Sequence, residues 1–588
     1  MAQNEIAFKI AGEAGQGLNV STLNLARTFT RKGFHAFLLT DNPNSIKLEP
    51  TWCSLRVSTR LVTSQTERID VLVALKPDAL LRHQSEVSED GFIIYDGDTV
   101  NPEEEKQLVK INYLPVPLSK IAAEIKAPDL IRNTIALGAF LALIDYRPDG
   151  MKKIIVEVFA RKGEAIVNQN ISALETGFNF VQNNYGTFIR NHLPEENGPT
   201  RLFLTGNEAL SLGAIKAGCK LLAAYPMTPS SPILHYLASK EREYNIVVKH
   251  TEDEIAAINM AVGANFAGTR AMTCTSGGGF ALMVEALGMA AQSETPVVVV
   301  VGQRPGPSTG QPTHTGQGEL QFLISASQGE FPRIIIAPGD AAETFRDTFN
   351  AFNLAEKFQV PVLILTDKYL AESYTDCSEL KDDDLKIDRG KLLTETQLSA
   401  EKIYERYQIT PDGISPRSIP SQKNGIHVAT SYEHDESGWY QEDPVGVKKM
   451  YDKRFAKIPF ILKEMKDPKL YGPDEAQITL LAWGSTKGPA LEALGRLANE
   501  GITANLVHLT YLWPLPVETL SELLKNAQQT IMIEGNYIGQ LAQIIHQATG
   551  LKIDHILTKY DGQPFYPAEI CAKIREILSG VEKGVAQG

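Results

Sequence analysis

Ile6-Ala-Phe-Lys-Ile-Ala11 is followed by Gly12-Glu-Ala-Gly15-Gln-Gly17, and then by a run with Val20, Leu23 and Ala26 on one helical face that stops at Gly33. This stretch reads as strand, glycine turn and helix. Two more apolar runs of strand length, Ala36–Thr40 and Asp70–Leu75, come after it. Such alternation gives a parallel, doubly wound sheet, because parallel neighbours need a crossover and a helix supplies it. The block extends to about residue 190, where Asn191-His-Leu-Pro-Glu-Glu-Asn-Gly-Pro199 reads as a polar linker spanning 191–200.

A second block opens with a strand at Arg201–Leu204 and a helix near Asn207, with Leu210, Ala214, Ala217 and Leu221 as its core stripe. Further strands are expected at Val247–Lys249, Ala271–Cys274, Val297–Gly302, Arg333–Ala337 and Val362–Thr366. The pattern degrades between 381 and 470, a turn-rich, polar connector without a core of its own. It resumes at Ile478–Trp483, with a helix carrying Leu491, Leu494 and Leu497, then strands Ala504–His508 and Thr530–Glu534. Three α/β blocks suit a chain of 588 residues.

Composition narrows the function. With 57 Lys+Arg against 70 Asp+Glu, the net charge of −13 opposes nucleic acid as the main partner. The longest apolar run, Pro296–Gly302, is strand-length, and the N-terminus lacks a signal-peptide layout, so no membrane span and a cytoplasmic location are expected. Cys53, Cys219, Cys274, Cys377 and Cys571 are scattered without a CxxC pair, so any iron–sulfur centre must sit on another chain.

Five polar loops carry the candidate chemistry. Gly12, Gly15 and Gly17 lie between strand and helix, where backbone N–H groups favour a phosphate, although GxxGxG is not the dinucleotide fingerprint. In Tyr225-Pro-Met-Thr-Pro-Ser-Ser231 two prolines stiffen the chain around Thr228, whose hydroxyl suits a carboxylate or carbonyl oxygen. Glu254 opens a helix whose small and apolar residues predict burial nearly all round, which makes it a candidate desolvated carboxyl. Thr275-Ser-Gly277-Gly-Gly279 admits a ligand close to the backbone, and Gln303-Arg304 to His314-Thr315 is a hydroxyl-rich loop with one cation and one imidazole. Four of these loops fall at strand ends of one parallel sheet, where ligands of such sheets bind.

These motifs, YPMTPSS, EDEIAAINMAVGANFAG, TSGGGFALM and QRPGPSTGQPT, resemble the α subunit of thiamine-diphosphate-dependent 2-oxoacid:ferredoxin oxidoreductases. Residues 1–190 resemble the γ domain that many members fuse at the N-terminus, 201–380 their pyrimidine-binding (PYR) domain, and 471–588, with Glu534-Gly-Asn-Tyr-Ile-Gly-Gln540, the transketolase C-terminal domain. The resemblance implies that Glu254 hydrogen-bonds the aminopyrimidine of thiamine diphosphate. It implies that Tyr225, Pro226, Ser276 and Gly277 help hold that cofactor, and that Thr228, Pro229 and Ser230 meet the 2-oxoacid. His314 stands where relatives carry an arginine clamp. An imidazole is a weaker anion partner than a guanidinium, so with His314 there as a substrate contact the resemblance implies that Arg304 takes over part of the clamp.

The resemblance further implies a β subunit carrying Mg²⁺ and a [4Fe–4S] cluster in an α₂β₂ assembly. Ferredoxin is then the electron acceptor, CoA the acyl acceptor (with Gly12, Gly15 and Gly17 as its expected contacts), and 2-oxoglutarate the best-fitting substrate, ahead of pyruvate and other 2-oxoacids. Relatives carry glycine where this chain reads Leu48-Glu-Pro50. A non-catalytic scaffold and a nucleotide-dependent dehydrogenase stay as rival classes. The remaining polar features read more plainly: His434 as a loop residue facing the partner, and Asp382–Asp384 as a solvated face.

Overall fold

The computed structural model describes residues 4–41, 51–101, 110–190, 193–194, 198–400 and 403–580. The chain forms two compact units: 1–204 with 373–379 and 566–568, and the remainder.

The first unit is built on an eight-stranded sheet in the order Asn112–Val116, Val87–Asp96, Ile69–Ala74, Glu5–Gly12, Thr51–Ser58, His35–Asp41, Tyr374–Cys377 and Leu202–Thr205. The first four strands are parallel, as the glycine turn after Ala11 predicts. Thr51–Ser58 then runs antiparallel to both Glu5–Gly12 and His35–Asp41, so the sheet is mixed. The sequence reading missed this strand, and Leu48–Pro50 lie outside the described residues. Leu202–Thr205 also differs from expectation: it closes the first unit's sheet and does not open the second block.

The helix Leu18–Thr30 buries Leu18, Leu25, Ala26 and Phe29, while Val20 is exposed, so the buried face is rotated from the one expected. Arg132–Leu143 packs on Glu164–Asn184 through paired glycines. A Cβ on Gly138 would stand 2.0 Å from Leu174 O, and one on Gly177 2.0 Å from Ile135 O.

In the second unit a seven-stranded sheet runs Tyr511–Trp513, Ile334–Ile336, Pro361–Asp367, Val297–Gln303, Ala271–Ser276, Leu221–Ala224 and Val247–His250. All neighbours are parallel except the first pair. Leu221 begins a strand and does not end the helix Gly206–Lys216. A five-stranded sheet, Lys469–Tyr471, Ala504–Leu509, Ile478–Trp483, Thr530–Glu534 and His555–Thr558, completes the unit. The two sheets share one hydrophobic core in which Val299, Leu363 and Leu323 meet Trp483, Val507 and Leu541.

Residues between 381 and 470 pack on this unit through buried charges. Glu356 receives Arg270 at 2.7 Å, Arg389 at 2.6 Å and Arg417 at 3.0 Å, and Glu294 is clamped by Lys453 and Lys457. His434, expected to face outward, is fully buried with its ring 4.0 Å from that of Tyr407. Asp382 and Asp384 pair with Lys216 and Arg346 at the surface. No helix among the described residues is long and apolar enough to cross a membrane.

Candidate active site

Parallel pairing puts the ends of the second unit's strands at one edge. Ser276 lies beside Gly302, Gly302 beside Thr366 and Gln303 beside Asp367, while Ala224 pairs with His250. The segments starting at Tyr225, Thr251, Gly277 and Arg304 therefore gather there, as their positions in sequence predict, although the glycine stretch expected as a loop opens the helix Gly277–Gln292 directly.

Glu254 is the first residue of the helix Glu254–Phe266, whose N-cap Asp253 accepts from Ala256 N at 2.8 Å. The residue is 3% exposed, and Oε1 has no hydrogen-bond partner. The carboxylate lies over the first turn of the helix Gly277–Gln292: a Cβ on Gly279 would sit 2.4 Å from Glu254 Oε1 and 2.1 Å from Thr275 Oγ1. Only glycine allows that approach. The Glu254 helix is not buried all round, since Ile255 and Met260 are exposed, as is Leu282 on the neighbouring glycine helix.

The proline-stiffened loop is held from behind. Ser230 Oγ donates to Met227 O at 2.8 Å, and Asn207 Nδ2 to Pro229 O at 2.9 Å. Pro229 packs where a Cβ on Gly302 would come within 3.0 Å of its ring. Arg304 donates to the Thr228 carbonyl at 2.9 Å, so the two expected substrate residues meet. Tyr225 is exposed, with its ring edge-on to His250. Ser276, the N-cap of the glycine helix, is fully buried, and its hydroxyl has no partner.

His314 is placed differently. It lies against Gly562 and Thr313, and no hydrogen bond among the described residues joins it to Thr228 or Arg304. Its stretch of loop is gripped by the C-terminal domain. Thr315 N donates to Gly562 O at 3.1 Å, Gln317 N to Gly535 O at 2.6 Å, and Gly535 N to Gln317 Oε1 at 2.8 Å. Glu534 beside them is saturated, accepting from Leu541 N, Ala542 N, Asn536 Nδ2 and Trp483 Nε1.

Sequence reasoning missed Glu319. Its Oε1 would stand 2.5 Å from a Cβ on Gly277, its Oε2 is buried without a partner, and its N–H donates to Gln303 Oε1 at 3.1 Å. Burial raises its carboxyl to about 8, against the pull of Arg304. An acid just ahead of Leu320-Gln-Phe-Leu-Ile324 was the available signal, but that pattern alone reads as an ordinary helix start. Four buried polar atoms of this edge thus lack protein partners: Glu254 Oε1, Ser276 Oγ, Gln303 Nε2 and Glu319 Oε2. A polar ligand with both donors and acceptors fits them, and the aminopyrimidine of thiamine diphosphate is such a group.

In the first unit, Gly15 and Gly17 adopt positive φ of 87° and 72°, with Gly17 capping the helix Leu18–Thr30. Gly12 makes room for the Gln16 side chain, which accepts from Glu13 N at 2.9 Å. A cavity of about 380 Å³ opens beside this loop, lined by Glu13, Gly15, Lys76, Arg132 and Asn133 among others. Arg132 is steadied by buried Asp96 at 3.5 Å and Ser119 at 3.3 Å. Topology alone brings Lys76 and Arg132 here, so no spacing in the sequence announces them.

Comparison with known proteins identifies the family. Residues 212–453 match the pyruvate flavodoxin/ferredoxin oxidoreductase, thiamine diphosphate-binding domain; residues 7–180 match the pyruvate ferredoxin/flavodoxin oxidoreductase domain, and 471–560 the transketolase C-terminal domain. The 2-oxoacid:ferredoxin oxidoreductase subunit alpha of Saccharolobus solfataricus is 32% identical, covering 99% of both chains. The 2-oxoglutarate oxidoreductase subunit KorA of Mycobacterium tuberculosis is 30% identical, covering 87% of this chain and 82% of that one. The 2-oxoglutarate:ferredoxin oxidoreductase of Magnetococcus marinus, solved with 2-oxoglutarate, coenzyme A and succinyl-CoA bound, superposes with a TM-score of 0.92 at 32% identity, covering 97% and 99% of the two chains. The chain belongs to the family of 2-oxoacid:ferredoxin oxidoreductase α subunits, with a γ-type domain, a thiamine-diphosphate-binding domain and a transketolase C-terminal-like domain in one polypeptide.

Proposed function

We propose that this chain supplies the pyrimidine half of a thiamine diphosphate site that oxidatively decarboxylates 2-oxoglutarate to succinyl-CoA, with electrons leaving through ferredoxin. The observation that carries the reading is the set of unpartnered polar atoms around the glycine turn, with Glu254 Oε1 at its centre. The cofactor, once bound, supplies activation of a 2-oxo carbon for loss of carbon dioxide. Glu254 is the proton exchanger: its carboxylate, dry and held at a helix start, takes and returns a proton at Oε1. Gly279 lets this carboxylate come against the backbone of the glycine helix, as Gly277 does for Glu319, and Ser276 Oγ is available to a ring substituent. Tyr225 and Pro226 wall the outer side.

Thr228, Pro229 and Ser230 shape the substrate position, and Arg304, fixed on the Thr228 carbonyl, offers its remaining N–H groups to a carboxylate. His314 contributes from the C-terminal-domain side, where it suits the far end of a dicarboxylic acid better than the reacting carboxylate. The γ-type domain receives CoA at the Gly12–Gly17 loop, where Lys76 and Arg132 offer positive charge to its phosphates. The other half of the site, with Mg²⁺ and the [4Fe–4S] cluster, belongs to a β subunit in an α₂β₂ assembly. The exposed Ile255, Met260 and Leu282 beside Glu254 suit a subunit contact.

The test is anaerobic, on the chain produced together with its β subunit: CoA-dependent reduction of a low-potential dye across a panel of 2-oxoacids. 2-Oxoglutarate should give the highest kcat/KM, and Glu254→Gln should lower kcat by about 10²–10⁴-fold. A complex that carries cluster and cofactor yet oxidises no 2-oxoacid would overturn the reading.

A further inference from the structure

Glu319 is given no part in proton transfer or substrate binding above, yet its setting is specific. It stands at the end of the long loop that follows the strand Val297–Gln303, so Gln303 and Arg304 begin the same loop that Glu319 closes. Its carboxylate is pressed onto Gly277, its Oε2 is buried without a hydrogen bond, and no ion pair joins it to Arg304. Its N–H donates to Gln303 Oε1 at 3.1 Å, which sets it beside Arg304, the strongest charge acting on it. Asp367, at the end of the strand Pro361–Asp367, also acts on it, and the Glu254 carboxylate lies over Gly279 in the same glycine turn.

Arg304 therefore stands between two claims on its guanidinium, one from the substrate carboxylate and one from Glu319. An ionised Glu319 would hold the guanidinium and repel an incoming anion. A protonated Glu319 leaves it available and has an O–H to donate.

We propose that Glu319 is a positioning residue that acts through Arg304: its neutral form frees the guanidinium for the 2-oxoacid carboxylate, so that substrate binding is linked to a proton held on Glu319. This rests on the reading of Arg304 as a substrate contact. The carboxyl's value of about 8 places the change on the alkaline side of neutrality.

The experiment uses the assembled complex and follows kcat and KM for 2-oxoglutarate from about pH 6.5 to about pH 9.5. In the unmodified enzyme KM should climb by about tenfold across the alkaline part of that range, with kcat changing much less. Glu319→Gln, which imitates the protonated acid, should keep the low-pH KM at every pH, and Glu319→Asp should restore the climb. Calorimetry in buffers of different ionisation enthalpy should show proton uptake on substrate binding near pH 8, abolished in Glu319→Gln.

An alkaline rise in KM that survives Glu319→Gln, or a Gln variant that loses kcat at all pH values while its thermal midpoint falls, would overturn the inference and leave the substrate reading intact. An unmodified complex that turns over no 2-oxoacid at any pH would remove both.

Discussion

Glu254 Oε1, Ser276 Oγ, Gln303 Nε2 and Glu319 Oε2 are each buried and unmatched. A buried polar group left without a partner costs about 1–3 kcal/mol, so a fold that keeps four of them around one helix turn holds a destabilised patch until a ligand matches it. Gly279 is the position where this can be tested with least disturbance elsewhere. A methyl there meets Thr275 Oγ1 and Glu254 Oε1, so Gly279→Ala should displace the carboxylate. The expected outcome is a thiamine diphosphate requirement at least about tenfold higher, read from activity against added cofactor, with secondary structure unchanged by circular dichroism. Glu254 and Thr228 stand out in the sequence because a motif surrounds each. Glu319 was not, because its meaning comes from Gly277 and Arg304, which reach it only through the folded sheet.

At the scale of elements, the seam between the two sheets of the second unit is electrostatic as well as apolar. Lys487 pairs with Asp340 and Glu343, and Gly339 passes so close that a Cβ there would come within 2.8 Å of the His508 ring. Burial, with Lys487 adding to it, lowers His508 from 6.5 to about 4. The folded protein thus binds this proton less readily than the unfolded chain. The stabilisation is fully present above about pH 6.5 and is lost as pH falls toward about 4, amounting to about 3 kcal/mol. Denaturant titrations should show that loss, and His508→Asn should flatten the slope across the same window.

The elements themselves were uneven to read. Ile478–Trp483 and Thr530–Glu534 stand where their apolar runs put them, because central parallel strands are apolar throughout. Thr51–Ser58 escaped notice because its buried Arg56, paired with Glu5 at 2.6 Å, breaks the apolar run. The face of Leu18–Thr30 was misjudged because Thr22 and Asn24, polar in sequence, are buried, while Val20 is not.

For the whole molecule, the three α/β blocks of the sequence become two compact units, because the second and third blocks share a core. The first unit is assembled from separated stretches of chain. Asp376, far along the sequence, accepts from Ala36 N at 2.8 Å and meets His35 at 3.0 Å and Arg201 at 2.5 Å within it. Ala568 N likewise donates to Glu67 at 2.7 Å. Covalent continuity through the polar stretch near Pro194–Pro199 should then be dispensable: a gene divided there should yield two polypeptides that find each other. Residues 1–194 and 198–588, produced together with an affinity tag on one, should co-purify in equal amounts, and Asp376→Ala should weaken their association. The strand Tyr374–Cys377 is in effect a built-in dowel, and the fused polypeptide already contains the joint by which a pair of independent subunits would be held.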